Sequence, residues 1–113
     1  MKSDFRAPRS RTSGGFKKAK EKVLGKKYEL DLVFADSKMM RRLNKTYRNK
    51  NKDSNVLAFP LSPKVGQIFL NPDYIKRKKE DLFFLYVHGL LHLKGYNHGM
   101  EMERLEKVLC KGT

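Results

Sequence analysis

EDLFFLYVHGLLHLKGYNH, residues 80–98, decides how the rest of the chain is read. From Glu80 to Lys94 it is apolar nearly all round, so it reads as a helix enclosed by other elements, and Gly95 ends it by allowing a left-handed turn. Every histidine of the chain falls here, at 88, 92 and 98. Positions four apart share a helix face, so His88 and His92 can grip one ion. After the turn at Gly95 the chain can bring His98 round as a third ligand. Three nitrogens leave a position open for water, as in catalytic rather than structural zinc sites, and a water so bound has its pKa lowered towards ~7. A lone histidine on an apolar helix is more often a core residue bonded to a neighbour. Three of them, with a helix-ending glycine between the second and third, favour one divalent ion, zinc first, with nickel, copper and iron also compatible. In zinc peptidases with H-E-x-x-H, a glutamate general base follows the first histidine. Here that position is Gly89, so the peptidase base is missing.

Outward from this helix, Phe16 to Leu24 has apolar residues at 16, 19, 23 and 24 and predicts a helix stopped by Gly25. Tyr28 to Ala35 reads as a strand entering a core. Asp36 or Ser37 can cap a helix running to about Tyr47, with Met39 or Met40, Leu43 and Tyr47 facing inward. Asn55 to Phe59 and Gln67 to Leu70 read as short strands, and Asn71-Pro72-Asp73 breaks the second. A final amphipathic helix is expected from about Met100 to Leu109, with Met102, Leu105, Val108 and Leu109 on its inner face. Residues 1–15 are polar and basic with almost nothing to bury, which predicts a disordered tail before a single domain over 16–113.

The 113 residues allow one modest core. The longest apolar run, Leu82 to Val87, falls far short of the ~20 residues needed to cross a bilayer, and no apolar stretch follows the basic N-terminus as in a secretory signal. A single cysteine, Cys110, excludes an internal disulfide and suits a reducing cytoplasm. Lys and Arg number 26 against 12 Asp and Glu, and the excess is not confined to the tail: residues 28–113 still carry +6 of the net +14. Such a balance favours a polyanionic partner, and nucleic acid over membrane, because no basic stretch is also amphipathic with large apolar residues. A Lys-rich surface inherited from genome composition is the bland alternative.

HGLLHLKGYNH (88–98) resembles the signature of the YbeY-type endoribonucleases, bacterial 16S rRNA maturation factors, written H-G-x-L-H-L-x-G-Y-D-H. LNKTYRNKNKDSNVLAF (43–59) is similar to the same family's L-N-x-x-Y-R-x-x-x-x-x-T-D-V-L-S-F, and GQIFL (66–70) to its G-D-I-x-I strand. The blocks keep the family's order and cover most of residues 28–109. Residues 1–15 match none of them. The resemblance implies an α+β fold, a small mixed sheet packed with helices, and a zincin-like three-histidine metal site at the end of a buried helix. It also implies single-strand-selective cleavage in 16S rRNA 3′-end maturation and ribosome quality control, with rRNA, the small ribosomal subunit and its assembly factors as partners.

Under this resemblance Arg48 matches the family's functional arginine, and His98 joins it as a catalytic residue. A guanidinium can grip a phosphate with two parallel hydrogen bonds and stabilise the charge of a pentacoordinate phosphorus. Without the resemblance, Arg48 would read as a solvated residue at a helix end. Lys45, Lys50 and Lys52 in the loop, and Lys76 and Arg77 beyond it, are expected to flank the site and track an RNA backbone. Tyr47 and Tyr96 are expected in the core, with stacking on bases as the other possibility. Asn55, Gln67 and Asn97 stand where the family has aspartate, Ser54 where it has threonine, and Ala58 where it has serine. Three amides for three carboxylates would strip negative charge from around the metal, since an amide hydrogen-bonds but takes no proton. That loss keeps open a rival, a non-catalytic rRNA-binding assembly factor whose metal only holds the C-terminal helices together.

Overall fold

The computed structural model describes residues 13–96 and 99–111. In chain order these form α1 (Ser13–Val23), β1 (Glu29–Phe34), α2 (Ser37–Arg48), β2 (Val56–Ser62), β3 (Val65–Leu70), α3 (Pro72–Arg77), α4 (Leu82–Lys94) and α5 (Met100–Lys111). β3 lies between the others, parallel to β1 and antiparallel to β2, so the sheet is small and mixed as expected. α1 starts at Ser13, so residues 13–15 belong to the helix and not to the expected tail; residues 1–12 lie outside the described part. α5 runs two residues past the expected Leu109. The proline in β2, Pro60, is tolerated because β2 is an edge strand and its register with β3 slips at that point.

Alternation along the strands divides the apolar residues between two faces. Leu30, Leu32 and Phe34 of β1 join Ile68 and Leu70 of β3 against α1, α4 and α5. Val33 and Phe69 point the other way and meet Met40 and Leu43 of α2. The central strand is thus covered on both sides. α4 is enclosed: Phe83, Leu85, Tyr86, Val87, Gly89, Leu90 and Leu91 are all buried. Phe16 of α1 stacks edge-on against Phe83, with ring centroids 5.3 Å apart, and lies 4.4 Å from the Tyr86 ring. The Tyr86 hydroxyl donates to the Phe16 carbonyl at 2.9 Å, and burial pushes its pKa well above the usual phenol range. This docking extends α1 back through Gly15 despite the low helix propensity of glycine.

Caps fix where the site-bearing helices begin and end. Asp36, not Ser37, caps α2 by accepting from the Met39 amide at 2.8 Å. Asp81 caps α4 by accepting from Phe83 and Phe84, and Gly95 ends it at φ 114°, a left-handed conformation that suits glycine. Gly89 lets α4 approach the sheet closely: a Cβ there would lie 3.1 Å from Ile68 Cδ1.

Two inward expectations fail. Tyr47 is 67% exposed: its ring leans on Phe59 of β2, with centroids 5.2 Å apart, and is otherwise left in solvent. Val108 is 61% exposed, because α5 packs through Met102, Leu105 and Leu109.

Candidate active site

His88 and His92 project from one face of α4, as their spacing requires, with Nε2 atoms 3.0 Å apart and ring planes at 79°. Behind His88 lies Glu106 of α5, only 4% exposed, its Oε2 hydrogen-bonded to His88 Nδ1. An ionised carboxylate only accepts, so this contact places the His88 proton on Nδ1 and leaves the Nε2 lone pair facing His92. Two imidazole nitrogens sharing a zinc at ~2.0–2.1 Å lie about 3.3 Å apart. The observed pair is close to that, and the donor set fits a borderline ion such as zinc. Among the described residues no group of three potential metal donors is assembled; the expected third ligand, His98, lies outside them, as does Asn97.

These histidines floor a cleft of about 770 Å³. One wall is α5, with Glu103, Glu106 and Lys107; the other is the chain from Ser54 to Ala58 entering β2, together with Arg48 from the end of α2. Phe84, Leu85 and Val56 make its apolar surface. Of the expected site residues, the structure therefore unites His88, His92, Arg48 and Asn55. The cleft-lining residues do not include Lys45, Lys50, Lys52, Lys76 or Arg77, all of which are exposed on the surface. Arg77 is engaged elsewhere, 3.5 Å from Asp53 and with its guanidinium 5.5 Å from the Tyr74 ring centre.

The wall that carries Arg48 is held by buried amides. Asn44 Nδ2 donates to the Lys52 carbonyl at 2.8 Å, and Asn49 ends α2 in the left-handed conformation. Asn71, fully buried, donates to Ser37 Oγ, Asp53 Oδ1 and the Ser54 carbonyl, and accepts from the Tyr74 amide. Ser37 in turn donates to Asp53. One side chain thereby ties the basic loop to the starts of α2 and α3.

The amide replacements look different in place. Gln67 does not line the cleft; it lies opposite Asp31 in the β1–β3 ladder and donates to its carboxylate at 3.1 Å. Asn55 does line the cleft and donates to Glu80 at 3.1 Å. At both positions an amide faces a carboxylate that an aspartate would repel. The expectation that Gln67 alters the surroundings of the metal is thus corrected. Glu106 escaped the sequence reading altogether. Its only signal was position: it lies four residues after Met102 and one after Leu105, on the inward face of α5, where a charge needs a partner.

The fold and the cleft define a small α+β domain whose polar centre is a histidine pair backed by a carboxylate. The chain belongs to the endoribonuclease YbeY family: residues 11–111 match the profile described as Endoribonuclease YbeY. It is 37% identical over 95 residues to the endoribonuclease YbeY of a Nitratiruptor species, covering 71% of this chain and 66% of that protein. To the endoribonuclease YbeY of Bartonella quintana it is 38% identical over 103 residues, covering 72% of this chain and 65% of the relative. The match thus spans just under two thirds of these relatives' length. A solution structure of a Thermotoga maritima protein shares the fold at TM-score 0.60 and 22% identity, over 87% of this chain and 75% of the other. Among the described residues no helix is long and apolar enough to cross a membrane.

Proposed function

We propose that this chain is a metal-dependent endoribonuclease that cuts single-stranded RNA in 16S rRNA 3′-end maturation and ribosome quality control. Its partners would be rRNA, the small ribosomal subunit and its assembly factors, in the cytoplasm. One observation carries the reading: the Nε2 atoms of His88 and His92 lie 3.0 Å apart in a cleft that Arg48 also lines, with the Glu106 carboxylate hydrogen-bonded to His88 Nδ1. His88 and His92, with His98, would hold one divalent ion, most simply zinc. When bound, such an ion supplies a Lewis acid and a water acidic enough to attack near neutral pH. Arg48 binds the scissile phosphate through paired N–H donors and offsets the charge that builds up as phosphorus becomes five-coordinate. Phe84, Leu85 and Val56 thin the water around that phosphate, which strengthens each electrostatic contact. A flexible single strand can bend its backbone into such a concavity, whereas a duplex is a stiff rod read from outside.

The family relationship supports the reaction class, and Glu106 bears on the rival. The non-catalytic assembly factor drew its support from carboxylates replaced by amides, yet a carboxylate does stand behind His88. The test is cleavage of an rRNA precursor by metal-loaded protein, by protein stripped with a chelator, and by Arg48→Ala. Cleavage by the loaded protein, lost on stripping and reduced by about 10²–10³-fold in Arg48→Ala, is expected. Tight rRNA binding with no cleavage by fully loaded protein would establish the assembly factor instead.

A further inference from the structure

α2 has the sequence SKMMRRLNKTYR, with five basic residues and no acidic one. Lys38, Arg41, Lys45 and Arg48 follow one another at intervals of three, four and three, with Arg42 beside them, so all five share one helix face. All are exposed, and the opposite face carries the buried Met40 and Asn44. The stripe extends about 15 Å along the helix. Like charges three and four residues apart repel and weaken a helix. Among the described residues no carboxylate lies within ion-pair distance of any of the five. The same surface does neutralise a basic side chain elsewhere, pairing Arg77 with Asp53. The α2 stripe is therefore a row of charge left for a partner, and its last member, Arg48, lines the cleft.

We propose that α2 is a phosphate track, running from Lys38 to Arg48, that leads single-stranded RNA into the cleft. This rests on the reading of the cleft as an RNA-cleaving site and changes where the strand lies. Lys50, Lys52, Lys76 and Arg77 gave a diffuse basic rim, whereas Lys45, expected in the loop, lies on α2, and the track follows that one helix to the reacting phosphate. An anionic membrane is the poorer partner, because the apolar face of α2 is spent on the sheet through Met40 and Leu43 and cannot insert.

The test compares two triple variants of equal charge change in the full chain, Lys38→Gln/Arg41→Gln/Lys45→Gln on α2 and Lys17→Gln/Lys18→Gln/Lys22→Gln on α1. Binding to a fluorescein-labelled oligouridine is followed by anisotropy from ~50 to ~200 mM KCl, the range over which phosphate contacts are read from salt dependence. Each lost contact to a single strand lowers the slope of log K against log[salt] by ~0.7, so the α2 triple should lose about 2 from the slope and the α1 triple almost nothing. Replacing the α2 residues by Arg41→Lys, Lys38→Arg and Lys45→Arg should restore it. Equal slopes in the two Gln triples, or an α2 triple that loses binding to phosphatidylglycerol vesicles but not to oligouridine, would overturn the track. The wild-type cleavage assay is read separately. If the wild type binds but never cleaves, the enzymatic reading fails; if it cleaves and the α2 triple binds normally, only the track fails.

Discussion

α4 and α2 are near equals in length and opposite in character. α4 is apolar almost all round and carries seven buried residues, whereas α2 is basic and buries only Met40 and Asn44. A side chain on α4 inherits the rigidity of the core, which is what converging metal ligands need, since small displacements weaken coordination. A side chain on α2 keeps its hydration and freedom and can adapt to a moving polymer. The cleft joins the two, lined both by Arg48 at the end of the exposed basic stripe and by histidines held on the core helix. Precision and reach are thus supplied by different helices.

The largest test of that division removes a proposed ligand from the rigid side. His92→Ala should abolish stoichiometric metal binding and, because a metal contributes several kcal/mol to such reactions, reduce cleavage by ~10³-fold or more. Metal content by mass spectrometry, with circular dichroism unchanged, checks it. Next comes Glu106→Gln, which keeps the shape and can still accept from Nδ1 but removes the charge. Metal affinity should fall by about 10–100-fold in a chelator competition, while RNA affinity at saturating metal stays as in the wild type. An unchanged metal affinity would make Glu106 a packing residue. Gly89→Leu attacks the close approach of α4 to the sheet. Ile68 is fully buried and cannot retreat, so denaturant unfolding should show a loss of about 1–3 kcal/mol. The smallest effect is expected at Gln67→Glu, which would set a carboxylate against Asp31. A cost of about 0.2–1 kcal/mol, shrinking at high salt, should leave metal binding untouched and confirm that this position lies apart from the site.

Much of the fold can be read from residues whose physics is local. The enclosed α4 with its glycine stop, β1 ending in apolar residues, and the cap at Asp36 form where their patterns put them, although α4 begins at Leu82, after an Asp81 cap, and not at Glu80. The histidine pair is legible for the same reason, since one helix sets its geometry. Glu106 is not, because its meaning depends on α5 crossing behind α4, and an isolated glutamate on a helix resembles any solvated one. Gln67 misleads through the same gap: only the register of β1 on β3 shows that it answers Asp31. Tyr47 and Val108 obey helical spacing but stay mostly exposed, Tyr47 with only the edge contact to Phe59, which periodicity cannot foresee. In sequence the basic residues form one cloud, whereas the structure sorts out a row on α2 without an ion-pair partner among the described residues and an Arg77 paired with Asp53.

Asn71 also has a bearing on the order of events in folding. It sits at the end of the central strand, yet its partners Ser37 and Asp53 lie 34 and 18 residues earlier. Contacts of that separation form only after the chain between them has closed, and closure has an entropic cost that the nascent loop cannot meet alone. β3 must therefore be seated before Asn71 can make its contacts to Asp53 and Ser54, whereas the local bond from Asn44 to Lys52 needs no such closure. Helix α2 can form early on its own caps, but the cleft wall beside Arg48 is finished late. In a partly unfolded molecule that wall should be among the first parts to exchange its amide protons, while the histidine helix stays protected.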